Sequence, residues 1–115
     1  MAKIKDIKTA LEIFEEACIQ HSEATEQGDY KTANKYYSKI IAAIAFLKGE
    51  NAVTSLKDCL SSPFVAVRLW SACYWLPVDE KEGTEILTEI VKSPGINSLT
   101  AKTTLSEWKK GNLKF

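Results

Sequence analysis

Cys18 and His21 stand three residues apart in a helical pattern, a spacing that presents two metal-binding side chains on one face of a helix. A closed zinc site needs about four ligands. The chain offers no C-x-x-C pair and no second histidine to complete one. The pair therefore reads as a partly buried cysteine beside a boundary histidine, with no metal assigned. Carboxylates are the other candidate chemistry. Glu15 and Glu16 adjoin, and Glu82, Glu85 and Glu89 share one face of a predicted helix; either set could work as a general acid and base, or simply solvate a helix surface. No G-x-S-x-G is present, and the few glycines are scattered at helix ends, so they cannot form a phosphate-binding loop. This inventory implies no enzyme, no catalytic residue and no cofactor.

What remains is chemistry of recognition. The planar fork of Arg68 suits a carboxylate or phosphate. Trp70, Tyr74 and Trp75 could anchor a partner or fill a core. Trp70 is expected to be largely buried, and Tyr74 nearer the edge with its hydroxyl reaching water or an acceptor. The candidate partner-binding residues are thus Tyr74, Glu82, Glu85 and Glu89.

The elements that carry these residues are helical. Ile4, Ile7, Leu11, Phe14 and Cys18 recur at helical spacing, with Glu12, Glu16 and Glu23 together on another face. Gly28 suits the left-handed residue after a helix, and Asp29 is placed to cap the next. That second helix shows Tyr30, Ala33, Tyr37, Ile40, Ile41, Ile44 and Leu47 on one broad face and is expected to stop at Gly49. A connection so short predicts an antiparallel hairpin. A shorter helix follows through Val53, Leu56 and Leu60. Ser62 is expected to cap a fourth helix that accepts Pro63 in its first turn. This helix has almost no polar face: Val65, Leu69, Ala72 and Leu76 cluster within about 60° at 100° per residue, opposite Val67, Trp70 and Tyr74. Pro77 ends it. Asp79 and Glu82 have capping-box spacing for a fifth helix that buries Ile86, Leu87, Ile90 and Val91. A last helix begins near Ser98, carries Ala101, Leu105 and Trp108 on one side, and stops at Gly111. The expected fold is all-α: about six helices in stacked antiparallel hairpins, forming one domain over residues 1–115.

Composition bounds the partners. The 115 residues fit one core, and fifteen basic side chains balance fifteen acidic ones, so no whole-molecule field draws the chain to nucleic acid or an anionic membrane. No apolar run reaches the roughly 18 residues of a membrane span, and the N-terminus lacks a signal-peptide core. Three widely spaced cysteines give no disulfide framework. A cytoplasmic location is expected.

Gly28-Asp29-Tyr30-Lys31-Thr32-Ala33, with Tyr36 and Tyr37 beyond, resembles the inter-helix turn of a tetratricopeptide repeat. Pro63, Val67, Arg68 and Ala72 resemble the second helix of a HEAT repeat. Together with Leu99–Leu113, where Ala101, Thr104, Leu105, Glu107, Trp108 and Gly111 recur, the chain resembles a small uncharacterised bacterial family of stand-alone HEAT-like domains. The resemblance implies a HEAT-like α-α superhelix in which Arg68 bonds or packs between neighbouring hairpins. It also implies an interaction module, since several such domains are immunity proteins that block a toxin. The leading functional expectation is an immunity protein whose acidic stripe covers a toxin's basic active site. The alternatives are an adaptor that binds a peptide and, third, an unrecognised enzyme.

Overall fold

In the computed structural model, which describes residues 4–113 and 115, the chain is all-α, with no strand among the described residues. Helices α1 (Ile7–Glu26) and α2 (Tyr30–Gly49) precede a 3-10 helix (Val53–Ser61), which leads to α3 (Val65–Trp75), α4 (Glu80–Val91) and α5 (Ile96–Lys109). The chain divides into two compact units, Met1–Leu56 and Lys57–Phe115.

The first unit is a helical hairpin. Asp6 starts α1 by accepting the Thr9 N–H at 2.7 Å, and this hydrogen bond holds the Asp6 carboxyl below its ordinary range. At the far end the Asp29 N–H donates to Ala24 O at 2.9 Å and the Gly28 N–H to Thr25 O at 3.1 Å, a closure that needs the positive φ of 73° at Gly28. Asp29 then caps α2 through the Thr32 N–H at 3.1 Å. The turn thus falls where the sequence places it, and α2 returns along α1.

The buried face of α1 is rotated from the expected stripe. Ala10, Ala17 and Ala24, seven residues apart, are buried with Phe14 and Cys18, while Ile7 is exposed and Leu11 half-buried. Alanine adds little to a hydrophobic pattern, but it lets a second helix approach closely, and here that decides which face turns inward. On α2 the buried residues are Ala33, Ile40, Ala43, Ile44 and Leu47. Gly49 ends α2, as the sequence suggests. It is the last helical residue, and Asn51 takes the left-handed conformation at φ 55°, with the Ala52 N–H donating to Leu47 O at 2.7 Å. Asparagine tolerates that region second only to glycine.

In the second unit α3 packs on both α4 and α5, and α4 packs on α5. Its start corrects the sequence reading. The cap position is Phe64, in extended conformation, not Ser62, so Pro63 lies before the helix. The Ser62 hydroxyl instead accepts the Phe64 N–H at 3.1 Å, and Ser62 O receives Arg68 Nη1 at 2.7 Å. Helix α3 buries eight of its eleven residues, and even Ser71 is fully enclosed, its hydroxyl donating to Val67 O at 2.7 Å. After Pro77 the Asp79 side chain accepts the Glu82 N–H at 3.1 Å, capping α4 as its spacing predicts.

Helix α4 crosses α3 at a glycine. A Cβ on Gly83 would lie 3.0 Å from Leu76 Cδ2 and 3.2 Å from Ala72 O, so only glycine allows this approach. Helix α5 begins at Ile96, two residues before the expected Ser98, because Gly95 turns the chain in one step at φ 105° and ψ −176°, a region open essentially to glycine alone. Ser98 still ties the junction, its hydroxyl donating to Val91 O at 2.7 Å.

Candidate interaction surface

The acidic stripe of α4 is divided between structure and solvent. Glu82 Oε1 accepts the Trp75 indole N–H at 2.8 Å, and both Glu82 oxygens receive Lys57 Nζ, at 2.8 and 2.9 Å. The same ammonium lies 5.6 Å from the centre of the Trp75 ring, within cation–π reach. Glu82 is therefore neutralised inside its own unit, and it does not reach back as the second half of a capping box. Glu80, two residues earlier, ties α5 to α4 by accepting the Trp108 indole N–H at 2.7 Å. Glu85 and Glu89 are the carboxylates of the expected stripe that remain exposed, with Lys92 3.4 Å from Glu89. A pair this open holds its charge for solvent or a partner, because exposed ion pairs contribute little.

Tyr74 does not stand at the edge. It is 8% exposed and meets Phe115 edge to face at 5.3 Å, and Phe115 in turn stacks on Trp108 at 6.2 Å. The expectation for the two α3 aromatics is thus reversed, since Trp70 is the partly exposed ring. The reason is the C-terminal segment, which brings Phe115 over Tyr74. Trp70 instead lies with Leu69 and Cys73 along an apolar groove whose other wall includes Thr104, Leu113 and Phe115. At the base of this groove burial pushes the Cys73 thiol up to about 11, and a hydrogen bond with the Thr104 side chain opposes the shift. Such a thiol is protonated and unreactive at neutral pH.

Arg68 is committed to Ser62 O and so serves the turn ahead of its own helix. Cys18 is buried, and His21 is half-buried with its ring 6.4 Å from that of Tyr37; partial burial lowers the His21 pKa. No group of three or more potential ligands forms a metal cluster among the described residues.

Sequence reasoning misplaced the most exposed apolar row. Tyr30, Tyr37 and Ile41, assigned to the inward face of α2, are 72%, 47% and 38% exposed. They share one edge of the helix at spacings of seven and four. The signal was available in α2 itself. Ala33, Ile40, Ala43, Ile44 and Leu47 already fill an inward arc, which leaves the tyrosines at its margin.

No family model matches the chain, and no curated protein matches it. Among solved structures it is similar to the crystal structure of the protein RPA1889 from Rhodopseudomonas palustris CGA009, at 20% identity over 98% of this chain and 99% of that one, with a TM-score of 0.87. A likeness at that identity establishes the all-α fold and carries no activity with it. No helix among the described residues is long and apolar enough to cross a membrane.

Proposed function

We propose that this chain is a cytoplasmic protein-interaction module that acts by covering a partner's surface, without catalysis. The observation that carries the reading is the exposed row of Tyr30, Tyr37 and Ile41 on α2. Large rigid aromatics lose little entropy on docking and are the side chains that most often dominate binding energy, whereas an isolated fold has no need to leave them in water. The HEAT-like resemblance supports the same reading, since stacked hairpins present preformed surfaces.

The specific form we propose is an immunity protein. Glu85 and Glu89 would meet the basic active site of a toxin, and the α2 row would supply apolar contact on its own unit. Coexpression with a toxin encoded beside this gene tests the idea. The wild-type chain should restore growth. Glu85→Lys with Glu89→Lys should slow association, and Tyr30→Ala with Tyr37→Ala should speed dissociation. Growth unrestored by the wild-type chain would remove the immunity reading; a bound partner whose affinity neither double variant alters would move the interface elsewhere.

A peptide-binding adaptor is the second reading. It is favoured by the groove along Leu69, Trp70 and Cys73, whose apolar lining suits an aliphatic or aromatic peptide side chain. Trp70 fluorescence in a peptide titration separates it from the first, because the α2 row lies outside that groove.

A further inference from the structure

The two helices of the first unit carry opposite charge. Helix α2 contains Lys31, Lys35, Lys39 and Lys48 and no acidic residue, whereas α1 contains Glu12, Glu15, Glu16, Glu23 and Glu26 against a single lysine. Glu12, Glu16 and Glu23 fall within about 40° of one another around α1, and Lys31, Lys35 and Lys39 follow one another at four-residue steps along α2. Among the described residues no ion pair joins these two rows. One residue of each row meets on the same side of the hairpin: Glu16 and Lys39 line one groove together with Ile13, Ala17 and Tyr36. The positive charge is concentrated there, since Lys35 and Lys39 lie 5.4 and 5.1 Å from the centre of the Tyr36 ring.

We propose that this face binds a second copy of the chain, with α1 of each copy on α2 of the other. The charge pattern selects the symmetry. A two-fold axis across the helices would set α1 on α1, acid on acid. An axis parallel to them sets α1 on α2 twice, acid on base, and makes every neighbouring pair antiparallel as in a four-helix bundle. Rotation about that axis preserves height along the helices. Within one hairpin that turns at Gly28 and Asp29, Glu16 lies level with Lys39, and Glu23 lies between the levels of Lys31 and Lys35. Glu16 therefore meets Lys39 of the second copy, and Glu23 meets Lys31 and Lys35 of the second copy. Ile13 and Tyr36 supply the apolar centre, and the charged rows form the rim that fixes register.

The dimer is held largely by exposed charges and is therefore sensitive to salt. Light scattering on the intact chain at concentrations up to about 100 µM, which captures a micromolar dimer, should give twice the monomer mass in low salt. The mass should fall to that of the monomer near 1 M salt, where the screening length is about 3 Å. Two reversal variants make the test specific: Lys31→Glu, Lys35→Glu, Lys39→Glu in one, and Glu12→Lys, Glu16→Lys, Glu23→Lys in the other. Each alone should be monomeric with wild-type helicity, and an equimolar mixture should form a heterodimer, since every contact is then complementary. Should a reversal variant fail to fold, the neutral variant Lys31→Gln, Lys35→Gln, Lys39→Gln should be folded and monomeric. A monomeric wild type in low salt overturns the proposal, as does a dimer that survives in either lysine-row variant or a mixture that stays monomeric.

Discussion

The Trp75 indole N–H donates to Glu82 Oε1 at 2.8 Å across the turn that Pro77 opens, so the last residue of α3 is held by the first turn of α4. Glu82 also carries the α4 N–H that Asp79 caps, and its carboxylate takes the Lys57 ammonium. Position, cap and hydrogen bond therefore fall on one residue.

The two partners of that carboxylate are unequal. The Lys57 side chain is 60% exposed, so the ion pair should contribute about 0–1 kcal/mol. Trp75 is 5% exposed, and stranding its N–H should cost about 1–3 kcal/mol. Denaturant melts should therefore show a larger loss for Glu82→Ala than for Lys57→Ala, with Glu82→Gln, which keeps an acceptor, close to Lys57→Ala. Equal losses for Glu82→Ala and Lys57→Ala would show that the indole bond contributes nothing.

The aromatic pair on α3 makes a second comparison. Tyr74 is buried and edge-on to Phe115, so Tyr74→Ala should destabilise by about 3–5 kcal/mol. Trp70 is partly exposed along the groove and should cost less on truncation. Thermal melts decide the order, and a Trp70→Ala variant less stable than Tyr74→Ala would reverse it.

How far this was legible in the sequence depends on what sets each feature. The Gly28–Asp29 turn, the Asp79 cap and the burial of Leu69 follow from local chemistry, which a single stretch of chain displays. Tyr74 could not be placed, because its cover is Phe115, forty-one residues away and outside any helical period. The exposed row Tyr30, Tyr37 and Ile41 was misread because apolar side chains count equally in a periodic pattern, while close packing favoured the alanines. Glu82 looked like one of three equivalent carboxylates. Its difference arises only when the turn at Pro77 brings Trp75 back to it.

Cys73 predicts a pH dependence. Its pKa rises from 9.0 to about 11 in the fold because burial disfavours the thiolate. The folded chain thus keeps this proton to higher pH than the unfolded chain, so above pH 9 the unfolded state binds fewer protons and stability falls as pH rises toward 11. At about 1.4 kcal/mol per pKa unit the loss approaches 2–3 kcal/mol. Lysines and tyrosines titrate in the same window, so the readout is the difference between the wild type and Cys73→Ala in urea melts at pH 8 and near pH 10.5. The wild type should lose more stability than the variant over that interval. Parallel losses would assign the whole effect to other groups.

Gly83 predicts the sign of a substitution that helix propensity alone gets wrong. Glycine within a helix costs about 1 kcal/mol relative to alanine, so Gly83→Ala would stabilise an isolated α4. In the folded chain the new methyl would meet Leu76 Cδ2 at 3.0 Å and Ala72 O at 3.2 Å. The leucine tip can rotate away. The carbonyl is fixed in α3 and receives the Leu76 N–H at 3.2 Å, so relief there requires the two helices to separate. Overpacking of this kind costs about 1–3 kcal/mol, which exceeds or cancels the gain in propensity. Gly83→Ala should therefore leave stability unchanged or lower it by up to about 2 kcal/mol, and Gly83→Val should lower it further, since a branched side chain adds bulk without the propensity gain. Measured by denaturant unfolding, a Gly83→Ala variant more stable than the wild type would mean that α3 and α4 yield at this crossing, and that the glycine is not what sets their approach.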